Sequence, residues 1–158
     1  MLSVARREYL VLVLLGLIGL GFLAPSLHTA RAEVRDGLRR QDITYLKHSL
    51  EQFYNEHEFY PLAPECLTST ATNEWDFIEV LPHDVKEADG FLYRYCVTSQ
   101  NQLSATGYFL EAQLEVGQAN TVAFDEDELR KFHYRILHAG NKILYRVCGG
   151  EEKQCESN

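Results

Sequence analysis

The feature that most constrains this 158-residue chain is an uncharged, apolar stretch from Tyr9 to Ala24. It continues into an amphipathic segment that reaches Pro61, so the sequence predicts one long helix whose first half is apolar. Apolar surface left in water costs about 25 cal/mol per Å². The apolar half therefore needs a cover, either a bilayer or identical helices of neighbouring chains, and we expect an anchored or assembling subunit.

As a membrane span, the stretch lengthens through Pro25 to His28, with a kink where the proline ring removes a backbone hydrogen bond. On this interpretation residues 1–28 form a cytoplasmic N-terminus and the transmembrane half of the helix. Residues 29–158 form an extracytoplasmic head that includes the amphipathic half. The predicted protein crosses the membrane once.

A cleaved secretory signal is the competing interpretation of the same residues. Arg6 and Arg7 would form its basic end, and Ala30-Arg31-Ala32 offers a small-x-small cleavage site after the apolar centre. Cleavage after Ala32 would leave a mature protein that begins at Glu33. That protein would be a secreted domain without the apolar half of the helix.

Charge is distributed unevenly along the chain. The net charge of the whole chain is −8, and residues 51–158 alone carry eight Lys or Arg against nineteen Asp or Glu. An acidic head repels a phosphate backbone. We therefore expect no nucleic-acid partner.

All four cysteines lie in the head, and an even number suits an oxidising compartment outside the cytoplasm. Three pairings are possible on paper. The preferred one joins Cys66 to Cys96 and Cys148 to Cys155, which would tie the segment after the helix to a strand and close a short C-terminal loop. Four reduced thiols are the alternative, and a zinc site is disfavoured because no C-x-x-C pair occurs.

Apolar residues of the amphipathic half recur mostly at steps of three and four, the period of one helix face. The stripe predicted to pack on the head consists of Val34, Leu38, Leu46, Leu50, Phe53 and Tyr54. The opposite side carries the polar residues Arg35, Arg39, Asp42, Lys47 and Glu51.

The head is predicted to combine a short helix with an antiparallel sheet, which makes the fold class α+β. The helix covers residues 74–81 and stops at Pro82, and strands cover 91–97 and 108–116. The second strand alternates strictly, with Tyr108, Leu110, Ala112, Leu114 and Val116 inward and Glu111, Gln113 and Glu115 outward. Residues 133–138 and 142–148 flank Ala139-Gly140-Asn141, a tight-turn signal that predicts a terminal β-hairpin.

The acidic run 125–128 has two interpretations. Asp125 and Glu128 can form a capping box at a helical turn, whereas Asp125 and Asp127 are weak candidates for calcium ligands. The ligand spacing and the interior glycine of a calcium loop are missing. No cofactor or other metal is expected, and with no nucleophile turn or phosphate loop we expect no enzyme.

Several local patterns resemble one family. Glu8 and Pro25 stand seventeen positions apart, and the long helix closes with Phe53-Tyr54-Asn55 and Phe59-Tyr60-Pro61. In these features the chain resembles type IV pilins and the pseudopilins of type II secretion. Looser likenesses to small pseudopilin heads follow in residues 81–84, 93–96 and 108–115.

The resemblance implies a pilin-like fold and two functional positions near the N-terminus. Glu8 would attract the free amine of a neighbouring subunit's N-terminus, and Pro25 would kink the helix. The processing site would lie between Ser3 and Val4, although the family has glycine where this chain has Ser3 and apolar residues where it has Arg6 and Arg7. The alternative is that Glu8 only lies at a membrane surface beside those arginines.

The predicted function is therefore structural. The chain would be a single-pass inner-membrane subunit with an extracytoplasmic head, which joins a type IV filament or a secretion pseudopilus through its apolar helix. Its partners would be the membrane and filament subunits of the same or another kind. The alternative is a monomeric extracytoplasmic binding domain, anchored or secreted, that uses an aromatic-rich surface.

Overall fold

One helix dominates the N-terminal part of the chain. The computed structural model describes residues 2–63, 65–71, 75, 77–100, 104–116 and 134–150, with side chains at all of these except 2–7, 19–25 and 99–100. Helix α1 runs from Leu2 to His57. It ends where Glu58 adopts a left-handed φ of 66° and its N–H donates to the Tyr54 carbonyl at 2.7 Å.

The chain divides into two compact units, Met1–Arg35 and Asp36–Asn158. The second unit holds the rest of α1 and an antiparallel sheet. Its strands are β1 (Leu67–Thr68), β2 (Tyr93–Gln100), β3 (Ala105–Leu114), β4 (Tyr134–Ala139) and β5 (Lys142–Gly150). They lie in the order β1-β2-β3-β5-β4, and every neighbouring pair is antiparallel. The α+β class and the long helix are therefore confirmed.

The terminal hairpin is confirmed as well. β4 and β5 pair from Tyr134 opposite Val147 to Ala139 opposite Lys142. Gly140 in the turn has a φ of 62°, a conformation that glycine adopts without the steric cost of a Cβ. Turn chemistry that is fixed by one residue is readable from sequence.

The helix predicted for residues 74–81 is wrong. Trp75 and residues 77–81 are not helical in the structure. Trp75 is instead buried, and its indole N–H donates to the Thr68 carbonyl at 3.0 Å, while Ile78 closes a turn back to it. Individual contacts of these two side chains with the core outweigh local helix propensity.

The core lies between the inner face of the sheet and residues 36–57 of α1. The sheet contributes Tyr93, Tyr95, Tyr108, Leu110, Ala112, Leu114, Tyr145 and Val147. The alternation predicted for β3 is confirmed from Tyr108 to Leu114. Glu111 lies on the opposite face, as expected, yet only 2% of it is exposed.

The predicted stripe of α1 is correct in its second part and wrong in its first. Leu46 and Leu50 are fully buried, as expected, but Val34 and Leu38 are 65% and 50% exposed. Arg39, expected in water, is 1% exposed. At Arg39 the helix therefore directs a charged side chain toward the core. Ion pairs with three carboxylates make this burial possible.

Candidate assembly surface and buried ionic cluster

The unit Met1–Arg35 contains an apolar run, Tyr9–Ile18, whose large side chains are all in water. Their exposed fractions range from 44% at Val13 to 70% at Tyr9. Successive residues of a helix are 100° apart, so ten consecutive positions cover the whole circumference. No single face can bury this run, and a cover has to surround it.

Three of the four N-terminal positions singled out by sequence precede this run, and all four lie within α1. Glu8 lies directly before it and is exposed. Ser3, Val4 and Pro25 fall within the bounds of α1, although their side chains lie outside the described ones. The proposed processing site, the carboxylate and the proline therefore belong to one helix.

The predicted membrane placement needs correction. Among the residues whose side chains are described, no helix contains a stretch long and apolar enough to cross a membrane. The prediction of a single-pass protein of the inner membrane is therefore wrong.

The disulfide between Cys66 and Cys96 is confirmed. It joins the segment that follows α1 to strand β2, as the sequence suggested. Cys148 is also disulfide-bonded, and Cys155 lies outside the described residues. The described part of the chain contains no free thiol.

The calcium candidates Asp125 and Asp127 lie outside the described residues. Within the described part of the chain, no group of three or more His, Cys, Asp or Glu side chains could hold a metal ion. The most prominent acidic group, around Arg39, is arranged about a guanidinium instead.

Arg39 lies at the centre of a buried ionic cluster of three carboxylates. Its Nη2 donates to Asp84 at 3.0 Å, and its Nε binds the other oxygen of the same carboxylate. Its Nη1 lies 2.7 Å from Asp36 and 2.9 Å from Glu115. The guanidinium therefore joins α1 to the loop before β2 and to the end of β3.

The surroundings of the cluster supply a second cation and enclose the guanidinium. Lys86 lies 3.2 Å from Glu115, and the ring of Phe91 stacks on Arg39 with 4.3 Å between Cζ and the ring centre. Burial disfavours the charged guanidinium, but hydrogen bonds to Asp84 and Asp36 outweigh that cost and raise the pKa of Arg39. The charged form is thus strongly held inside the head.

Asp36 has a second role beyond its contact with Arg39. Its carboxylate accepts the backbone N–H of Glu115 at 2.9 Å and that of Val116 at 3.0 Å. These are the two residues that follow β3. The carboxylate therefore satisfies backbone donors where the strand ends, which buried N–H groups require.

Polar side chains of α1 also meet buried tyrosines, two of them in the sheet and one, Tyr60, in the segment after the helix. Glu51 accepts hydrogen bonds from Tyr108 at 2.8 Å and from Tyr60 at 3.2 Å, and Asp42 accepts one from Tyr93. Burial, followed by the nearby carboxylate, raises the pKa of each of these tyrosines. The helix is therefore fixed to the sheet by directed polar contacts as well as by apolar packing.

One hydrogen-bonded chain contains a serine, a carboxylate and a histidine. The Ser69 hydroxyl donates to Glu87 at 3.0 Å, and the other Glu87 oxygen lies 3.0 Å from His83 Nδ1. The carboxylate stands between the other two groups, so the imidazole does not contact the hydroxyl. A serine nucleophile needs the imidazole next to it, and this order does not provide that.

Hydropathy does not reveal the Arg39 cluster, because a search for apolar stripes assigns arginine and aspartate to water. Counting back from Leu50 in steps of four and three gives Leu46, Ile43, Arg39 and Asp36, all of which are buried. That regular spacing was the available signal.

Comparison of the chain with protein-family models, with curated proteins and with solved structures finds no match.

Proposed function

We propose that this protein is a structural subunit of a filament of the type IV pilin or pseudopilin class. In the filament, the apolar run Tyr9–Ile18 packs against the same run of neighbouring subunits. The observation that carries the proposal is the exposure of every large apolar side chain in this run. Monomeric proteins rarely leave a continuous apolar surface of this size in water.

The circumferential exposure favours a core of several helices over a simple dimer. A two-helix contact covers one stripe of each helix and leaves the opposite side wet. A helix surrounded by several others loses water on all sides, and each buried Leu, Val or Ile side chain contributes roughly 1.5–3 kcal/mol. A filament with helices at its centre meets that requirement.

Glu8 has a defined role in the proposal. The carboxylate precedes the apolar run and would enter the helical core on assembly, where an unpaired charge costs several kcal/mol. The free amine of a neighbouring subunit processed between Ser3 and Val4 would neutralise it. Pairing of this kind sets the axial position of one helix against the next.

The head should remain folded both in the free subunit and in the filament. Its own helix segment, residues 36–57, is closed on the sheet by the Arg39 cluster and by the tyrosine contacts of Glu51 and Asp42. A substitution in the apolar run should therefore affect assembly without affecting the fold of the head. This separation makes the proposal testable in the full chain.

The test compares two glutamate substitutions at exposed apolar positions, each made in the full chain. Leu14→Glu places a charge in the run, where the native side chain is 60% exposed, and Val85→Glu places one on the head at a residue that is 76% exposed. Sedimentation velocity and electron microscopy would measure assembly. Leu14→Glu should raise the concentration for half-assembly at least 100-fold, about 3 kcal/mol, and Val85→Glu should leave it unchanged.

Two results would overturn the proposal. One is a wild-type chain that stays monomeric at every concentration, or a Leu14→Glu chain that assembles like it. The other is a mature protein whose mass starts at Glu33, because the apolar run would then be removed before any assembly. That second result would instead favour a secreted binding domain.

A further inference from the structure

A row of charged residues crosses the sheet on the face opposite α1. In register from edge to edge stand Thr68, Arg94, Glu111, Arg146 and Arg135. Residues paired across antiparallel strands project to the same side. Three guanidinium groups and one carboxylate therefore share one line on this outer face.

Glu111 holds two of the arginines in place. Its Oε1 accepts from Nε and Nη2 of Arg146 at 2.8 and 2.6 Å, and its Oε2 accepts from Nη1 of Arg94 at 3.2 Å. Arg146 also stacks on Phe109, with 4.4 Å between Cζ and the ring centre. The buried glutamate thus orients a basic pair, and the Arg94 side chain remains 47% exposed.

The charge of this face is opposite to that of the head as a whole. Lys142 precedes Arg146 by four residues in β5 and shares its face. Among the described strand residues on this face, the charged ones are Arg94, Arg135, Lys142, Arg146 and Glu111. Of the residues of 51–158 that the structure describes, this face thus holds four of the five basic ones and one of the ten acidic ones.

We propose that this basic face docks the acidic head surface of a second copy of the chain. The inference rests on the proposed filament, in which subunits of net charge −8 must lie side by side and repel one another. Contact between the basic face of one head and carboxylates of the next replaces that repulsion by attraction. It also sets which side of each head meets its neighbour.

Carboxylates are the groups that an arginine row recognises best, since a guanidinium fork matches both oxygens. A second copy presents exposed carboxylates at Glu56, Glu58, Glu65, Glu79 and Asp89. Each exposed pair contributes only up to about 1 kcal/mol, so the contact depends on several pairs and on salt. It would be weak for one pair of heads and would add up along a filament.

The test isolates head-to-head contact in the full-length Leu14→Glu chain, in which packing of the apolar run is disabled. Sedimentation equilibrium at about 0.05 M and about 0.5 M salt would measure self-association. Arg94→Glu should weaken it at least tenfold at low salt, and Arg94→Gln should weaken it less. Arg31→Glu, a reversal of equal size outside the sheet, should change it less than twofold, and thermal melting should verify that each variant is folded.

Added salt should weaken self-association of the parent Leu14→Glu chain. It should have little effect on the self-association of the same chain carrying Arg94→Glu. The inference is overturned by an absence of self-association in the Leu14→Glu background, by an Arg94→Gln chain that behaves like its parent, or by an equal loss in Arg31→Glu. The proposed filament is judged separately, by assembly of the wild-type chain and its loss in Leu14→Glu. Either idea can therefore fail alone.

Discussion

Helix α1 contains two segments with opposite patterns of exposure. In Tyr9–Ile18 the apolar side chains are exposed, and in residues 36–50 two charged side chains, Asp36 and Arg39, are buried. Ordinary amphipathic helices do neither. The apolar side chains of the first segment remain in water, whereas the buried charges of the second are satisfied by ion pairs and hydrogen bonds.

The contrast separates the roles of the two segments. Buried charges that are paired and hydrogen-bonded tolerate the interior, and removal of one partner is costly. Exposed apolar side chains can be changed at little cost to the fold of the isolated chain, but they control what the chain associates with. Head variants should therefore alter stability, and run variants should alter assembly.

The largest expected effect is the loss of head stability at alkaline pH. Burial raises the pKa of Tyr60, Tyr93, Tyr95, Tyr108 and Tyr145. Unfolded tyrosine ionises near pH 10, so the stabilisation is complete below about pH 10 and is lost as pH rises toward the higher folded pKa values. Each group contributes up to about 1.4 kcal/mol per pH unit, or on the order of 5 kcal/mol together between about pH 10 and 11.

Denaturant titrations at about pH 8 and about pH 11, with tyrosinate absorbance followed in parallel, would measure this loss. Tyrosinate from the buried set should form together with unfolding. Ionisation of those tyrosines near pH 10 in a protein that remains folded would contradict their enclosure in the head.

A smaller effect is expected for Arg39→Met. The substitution leaves Asp36, Asp84 and Glu115 close together without their cation, which should cost about 3–5 kcal/mol and lower the melting temperature by roughly 10–20 °C. Arg31→Met on the exposed surface of the same helix is the matched control and should cost under about 0.5 kcal/mol. Below its melting temperature the Arg39→Met chain should still assemble, and a loss of assembly there would break the division between the two segments.

The parts of the fold that follow from local patterns were predictable. Strict alternation gave the inner face of β3 from Tyr108 to Leu114, and Gly140 marked the hairpin turn. The pairing of Cys66 with Cys96 was the preferred one of three possible pairings, because it ties the segment after the helix to a strand, and the structure confirms it. The strand alternation and the hairpin turn each depend on a short stretch with one dominant physical cause.

The interior position of Arg39 was not predictable from its residue type. Its burial depends on Asp84, which lies 45 residues away in sequence, and on Glu115 at the end of β3. Hydropathy alone places Val34 and Leu38 inside because they are apolar. It also assigns every arginine to water, and both assignments are wrong here. The helix predicted at 74–81 was wrong for a related reason, since Trp75 packs its ring near Tyr95 of β2 and donates to Thr68 of β1, and these contacts decide the local backbone.

The outer face of the sheet shows the same limit. Alternation correctly placed Glu111 opposite the core, but only the register of β2, β3 and β5 brings Arg94 and Arg146 to its two sides. Register between strands so far apart in sequence is set by the packed core and not by any one strand. The basic face therefore could not be predicted from the sequence without the order and register of the strands.

Photo-crosslinking from position 14 tests the central claim most directly. A photoreactive aromatic residue in place of Leu14, in a mixture of isotopically labelled and unlabelled full-length chains, identifies by mass spectrometry what covers the apolar run. Adducts that join position 14 of one copy to residues 9–18 of another are the expected result. Adducts confined to the same chain, or to residues of the head, would contradict the account.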